Sequence, residues 1–135
     1  PEFNIEYNIK DYMISAGGKL FAFQLPSLSY SAYGVGKDER EFPLYFGSLI
    51  SNDDEYIITL PDNYKIYYMP DKFSHKSEIF DFEASYTQKD NKIIFKSSFK
   101  RLKISAEKEA YFDMKKCFEK RADLTKEWIV IERDN

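Results

Sequence analysis

At 135 residues, with 43% hydrophobic and 32% charged residues, the chain has the make-up of one globular domain rather than a disordered segment. A chain of this size can fold without a covalent staple, and its single cysteine excludes an internal disulfide. One Cys and one His leave no ligand set for zinc, and a net charge of −3 gives no electrostatic ground for nucleic acid. No cofactor is expected.

The opening Pro1-Glu2-Phe3 has the look of a cloning remnant, so 1–3 are set aside and 4–135 are read as one domain, excised from a longer protein. Asn4 to Ser15 runs into the turn signal Gly17-Gly18. "KLFAFQL" follows, with Leu20, Phe21, Phe23 and Leu25 as strand positions stopped by Pro26; these two segments predict a first hairpin. Ser27 to Lys37, rich in Ser, Tyr and Gly, is expected to be a loop. Asp38 to Glu41 adds charge before the short apolar "FPLYF".

"DEYIITL" places Tyr56, Ile58 and Leu60 on one face, with Asp53-Asp54-Glu55 expected at the head of the strand. Leu60-Pro61-Asp62-Asn63 is a turn, in which Pro presets one corner and Asn accepts a left-handed one. "YKIYYM" is the next strand, closed by Pro70. Its alternation sets Tyr64, Ile66 and Tyr68 on one face and Lys65, Tyr67 and Met69 on the other.

The best-specified hairpin joins "IFDFEASYTQ" to "KIIFKSSFK" through Asp90-Asn91. That turn sets Tyr86 opposite Phe95, Ala84 opposite Ser97 and Phe82 opposite Phe99, with Asp81 against Lys100 and Ser85 against Lys96 on the other face. A slip of one residue would mix the aromatic and charged faces, so the register is strongly implied.

Ser105 is the expected N-cap of a helix of about four turns, "AEKEAYFDMKKCFEKRA". Tyr111, Met114, Phe118 and Ala122 make its apolar stripe, with Cys117 beside it. "EWIVIER" closes the chain as a β-branched strand. The pattern predicts a mainly-β, jelly-roll-like antiparallel β-sandwich with one C-terminal helix followed by a final strand.

Candidates for chemistry are few. Cys117 and His75 are the possible nucleophile and base, but the sequence puts one on a helix stripe and the other in the polar loop "DKFSHKSE". A buried thiol and a solvated imidazole explain them better. The carboxylates Asp53-Asp54-Glu55 and Asp81/Glu83 lack an apolar setting that would raise a pKa for acid–base work. Lys89 to Lys103 holds six basic residues and one acid, yet Lys92, Lys96 and Lys100 alternate with phenylalanines as on a half-exposed strand.

Aromatic display remains. Tyr30, Tyr33, Tyr45, Tyr67 and Tyr68 fall in or near loops and strand ends, where a ring with a polar tip suits sugar stacking or protein contact. The candidate binding surface is Tyr33, Lys65 and Tyr67. No apolar run approaches the ~18 residues of a membrane span, so no membrane insertion is expected.

The runs "DEREFPLYFG", "DEYIITLPDNYKIYYMP", "FEASYTQKDNKIIFKSSF" and "EAYFDMKKCFEKRADLTKEWIVIERD", in that order, resemble the C-terminal β-sandwich domain of bacterial transglutaminase-like multidomain proteins. The likeness spans Asp38 to Asp134. It rests on Arg40 ahead of Pro43, the Leu60-Pro61…Tyr64-Lys65 step, Pro70, the Asn91-Lys92-Ile93 turn, and the Tyr111 helix before a β-branched strand. In that family the Cys-His-Asp chemistry belongs to a preceding papain-like domain, and nothing in this chain matches those positions. The resemblance therefore implies a non-catalytic accessory module that packs on, or presents partners to, the preceding domains of the same protein; the tyrosines add another protein or a glycan as expected partners. It also tilts localisation toward the periplasm or cell surface. The alternative reading is a carbohydrate-binding sandwich using Tyr33, Tyr67 and Tyr68.

Overall fold

The structure is a computed structural model that describes residues 2–6, 8–26, 28, 30 and 35–134. Ten strands occur among those residues, arranged mainly as two antiparallel four-stranded sheets facing each other across the core. Sheet A consists of β1 (Ile14–Gly17), β2 (Leu20–Phe23), β10 (Ile129–Arg133) and β5 (Tyr64–Tyr68), in that spatial order. Sheet C consists of β4 (Ile50–Thr59), β8 (Lys92–Arg101), β7 (Phe80–Lys89) and β6 (Phe73–Lys76). A two-stranded ribbon, sheet B, pairs β3 (Leu44–Tyr45) with β9 (Ser105–Ala106), and α1 (Tyr111–Leu124) follows a short 3₁₀ turn, Lys108–Ala110. This is the mainly-β sandwich with a late helix and final strand that the sequence predicts.

The β7–β8 hairpin has the predicted register throughout: Tyr86 faces Phe95, Ala84 faces Ser97, Phe82 faces Phe99, Asp81 faces Lys100 and Ser85 faces Lys96. Its turn is held by Asp90 at a left-handed φ of 55°. Tyr86 and Phe95 have ring centroids 4.9 Å apart, and Phe80, Phe82 and Phe95 are fully buried. Each such cross-strand aromatic pair contributes roughly 0.2–1 kcal/mol beyond an alanine pair.

The Leu60–Asn63 turn forms as expected, with Asn63 left-handed at a φ of 71°. It hands the chain from sheet C to sheet A: β4 pairs with β8, whereas β5 pairs with β10. Such crossings between sheets are how a sandwich closes.

Three local expectations are corrected. Ser105 does not cap a helix; it pairs with Tyr45 in the β3–β9 ribbon, and the helix is entered through the 3₁₀ turn after Glu107. Backbone pairing has claimed the residue that local capping chemistry would have used. The triplet Asp53-Asp54-Glu55 lies inside β4, not at its head, because the strand begins at Ile50. Finally, Tyr68 does not share a face with Tyr64 and Ile66. The β5–β10 register slips so that Val130 faces Tyr68 while the next residue, Ile131, faces Ile66. The extra residue is Tyr67, a β-bulge, and the alternation resets there. Met69 consequently turns into the core and Tyr68 turns out of it.

Helix α1 lies against sheet C with Tyr111, Met114, Cys117 and Leu124 buried. Cys117 sits within the apolar stripe rather than beside it, and Phe118 packs edge-on to Phe80 at 5.5 Å. Strand β10 is central in sheet A, with Ile129 and Ile131 fully buried. We expect Ile131→Ala to cost about 2–5 kcal/mol, against no more than about 0.5 kcal/mol for Ile57→Ala on an exposed face, both read from urea unfolding midpoints at constant m.

Candidate functional site

The bulge at Tyr67 builds a surface. Read across sheet A, the registers align Ile14 with Ala22, Ala22 with Val130, and Val130 with Tyr68. This apolar row crosses all four strands on the outer face, away from the inward-facing Phe21, Phe23, Ile129 and Ile131. Trp128, half-exposed and two residues before Val130, belongs to the same face. Tyr67 and Tyr68 both oppose Val130 and are 63% and 48% exposed. Lys65 lies on this face too, its Nζ 3.1 Å from Glu132 Oε1 and 4.0 Å from Asp134 Oδ1. The hydrogen bond that Lys65 donates to Glu132, then the charge of that carboxylate, raises the Lys65 pKa.

Of the predicted surface, Lys65 and Tyr67 therefore come together, and Tyr68 and Trp128 join them. Tyr33 lies outside the described residues. Rings with an apolar body and a polar tip thus stand exposed in a row of aliphatic side chains beside an ion pair.

The Cys117–His75 pair takes a different form from the expected one. His75 is not in a solvated loop: it lies on β6 with its side chain 10% exposed, and its Nε2 is 2.9 Å from Asp113 Oδ1 on α1. Ser77 Oγ donates to the other oxygen, Asp113 Oδ2, at 2.6 Å, and accepts from the backbone N–H of Phe80 at 3.0 Å. The cluster ties the edge of sheet C to the first turn of the helix. Cys117 stands one helical turn beyond Asp113, fully buried, and burial pushes its thiol up to about 11. Reactive cysteines sit in electropositive, partly exposed settings, whereas Cys117 is enclosed in the apolar core. Among the described residues, no group of three or more His, Cys, Asp or Glu side chains could hold a metal ion.

One cluster was missed from sequence. Arg121 of α1 stands over three rings, with Cζ 3.9 Å from the centroid of Phe99, 4.4 Å from Tyr30 and 5.1 Å from Phe82. Its Nε is buried with no hydrogen-bond partner among the described residues. Burial lowers the Arg121 pKa, with the negative ends of Tyr30, Cys117 and Asp54 opposing. The Tyr30 hydroxyl is 2.6 Å from Ser97 Oγ and 3.2 Å from Asp54 Oδ2, and burial pushes it up to about 12. Tyr30 is thus a packing residue, not a displayed one. The signal was present: Arg121 falls ten residues after Tyr111, on the apolar stripe itself, where a cation needs aromatic faces.

Residues 19–131 match the family described as "Domain of Unknown Function with solved-structure structure" (DUF3858), and the chain belongs to that family. A crystal structure described as a "putative protease" from Parabacteroides distasonis ATCC 8503 is similar at a TM-score of 0.68 and 14% identity, over 84% of this chain. The chain covers 23% of that protein's length, so the likeness is one of fold with a part of it. No curated protein matches the chain.

Cys117 gives a pH dependence with a definite sign. Its folded pKa, about 11, lies above its ordinary 9.0, so its contribution is complete below pH 9 and disappears as pH rises through 11. A shift of that size is worth roughly 2–3 kcal/mol. Urea unfolding should therefore weaken between pH 9 and pH 11, and less steeply in Cys117→Ala. Iodoacetamide should label the native thiol far more slowly than the unfolded one at neutral pH.

Proposed function

We propose that this DUF3858 domain is a non-catalytic accessory module of a transglutaminase-like protein, working through contacts with a separate catalytic domain or with that domain's partners. The observation that carries the reading is the outer face of sheet A, where the bulge turns Tyr67 and Tyr68 outward beside Trp128 and the Ile14–Ala22–Val130 row. A sandwich that only had to be stable gains little from rings in water, whereas exposed aromatic patches are what contact surfaces are made of. The chemistry of the one cysteine and the one histidine agrees: the thiol is buried and protonated, and the imidazole is tied to Asp113. The order of motifs from Asp38 to Asp134 supplies the transglutaminase-like context, and the fold's share of a much longer solved protein fits a module within a larger chain. A periplasmic or cell-surface setting goes with that reading.

A carbohydrate partner is the second reading, favoured by the exposure of Tyr67 and Tyr68 on one face. Trp128, the single tryptophan, reports on that face directly. If the sugar reading is right, a panel of oligosaccharides will contain one that shifts or quenches Trp128 emission saturably, and Tyr67→Ala with Tyr68→Ala will abolish the response.

The leading reading is tested in the longer protein that carries the module. Cys117→Ser and His75→Ala should leave its hydrolytic or acyl-transfer rate within about twofold of the unaltered protein, an effect too small for loss of a nucleophile or general base. Deleting the module should change the rate or the KM. Loss of activity in Cys117→Ser, with an unchanged circular dichroism spectrum, would overturn the non-catalytic assignment.

A further inference from the structure

We propose that the groove between the β5–β6 link and the end of α1 binds a neutral carbohydrate, with Tyr68 as its ring and Asp71, Lys72, Lys120, Asp123 and Glu127 as its polar rim. This rests on the carbohydrate reading above and gives that reading a definite site.

Two chain segments line the groove, which has a volume of about 350 Å³ or less, printed as ≈ 300 Å³. One is Tyr68 with the link that leaves sheet A for sheet C; the other is the last turn of α1 and its exit toward β10. That volume is at the small end of ligand pockets, which run ~300–1,000 Å³. Tyr68 belongs both to the groove and to the outer face of sheet A, so the groove continues the aromatic surface already described. Pro70 and Leu124, both buried, add apolar lining.

The rim differs from the charged surface elsewhere. On the two sheets opposite charges close on each other, as Lys65 does on Glu132, Lys76 on Glu83 and Lys96 on Glu55. Around the groove three carboxylates and two ammonium groups are exposed together. Among the described residues, no hydrogen bond or ion pair engages any of these five side chains. Donors and acceptors are therefore both left open at one hollow.

Their chemistry selects the ligand. A sugar hydroxyl donates and accepts at once, so a ring of hydroxyls can engage carboxylates and ammonium groups side by side. Its C–H face packs on a tyrosine ring. The three carboxylates do not converge on a point: among the described residues, no group of three or more such side chains could hold a metal ion. Three acids against two lysines disfavour an anion. Five charged side chains around one hollow also disfavour the core of a protein interface, where charge is depleted.

Titrating the isotope-labelled chain with cellohexaose, maltohexaose, xylohexaose and mannohexaose, followed by amide chemical shifts, tests this. At least one should bind saturably, with shifts concentrated in 68–73 and 120–128 and an affinity that does not change from low to high salt. Asp123→Asn with Glu127→Gln should weaken that binding by about tenfold, as should Tyr68→Ala, whereas Glu55→Gln on sheet C should leave it unchanged. A sugar that binds this double variant undiminished, or whose shifts centre on Tyr67 and the Ile14–Val130 row, would overturn the groove while leaving the carbohydrate reading standing. An affinity that falls steeply with salt would overturn the neutral ligand. Saturable binding of none of the four would overturn the groove and the carbohydrate reading together.

Discussion

Sheet A depends on one insertion. Strand β10 lies between β2 and β5 and hydrogen-bonds to both, while those two strands make no ladder with each other. Without residues 129–133, β5 would have no strand partner and β2 would keep only the short hairpin to β1. The two ends of the chain must therefore meet before half of the sandwich exists. That closure spans nearly the whole sequence, and its entropic cost is met only when Ile129 and Ile131 are buried against Phe23 and Phe21. A central strand buried on one face and packed by neighbours on the other wants β-branched residues, which is what Ile129-Val130-Ile131 provides.

Helix α1 is the means by which the chain reaches that slot. It carries the chain from the end of β8 and the β9 ribbon across sheet C to the start of β10, and its contacts hold it at three points. His75 and Ser77 grip Asp113 at its first turn, Cys117 and Met114 fill its middle, and Arg121 stacks on Phe99, Tyr30 and Phe82 near its end. The arginine is the unusual choice. A guanidinium placed over ring faces recovers part of its lost hydration through the ring quadrupoles, about 0.5–2 kcal/mol per contact, and tolerates an apolar setting better than an ammonium would. The cluster also fixes Tyr30 against the inner face of sheet C.

Much of this was legible in the sequence, for reasons that differ by element. The β7–β8 register could be read because both strands segregate aromatic from charged residues, so only one alignment satisfies both faces. The last strand and the helix before it follow from periodicity. What could not be read required knowledge of partners far away in the chain. Ser105 has the chemistry of a cap, but Tyr45 recruits it into a ribbon. His75 lies in a hydrophilic run, yet Asp113, on a helix distant in sequence, draws it under cover. The bulge at Tyr67 is a mismatch between β5 and β10, a property of the pair and of neither strand alone. Lys65 and Tyr67 were placed correctly as outward residues because they precede or form the slip; Tyr68 and Met69 were misplaced because they follow it.

The outer faces of the two sheets differ in kind. Sheet C presents ion pairs such as Lys96 with Glu55 at 3.5 Å and Lys76 with Glu83 at 3.0 Å, the latter pairing lowering the Glu83 pKa. Exposed pairs of that sort contribute little to stability and keep charge at the surface. Sheet A presents Ile14, Val130, Tyr68 and Trp128 instead, over a buried Ala22. Its bulge interrupts a ladder at the sheet's edge, and regular alternation there would have sent Tyr68 inward. The slip instead turns both tyrosines outward and gives the inward place to Met69, whose flexible side chain fits an irregular core. A register that sacrifices regular pairing to put two rings in solvent is hard to account for by the stability of the sandwich. It is readily accounted for if the outer face of sheet A is made to be covered.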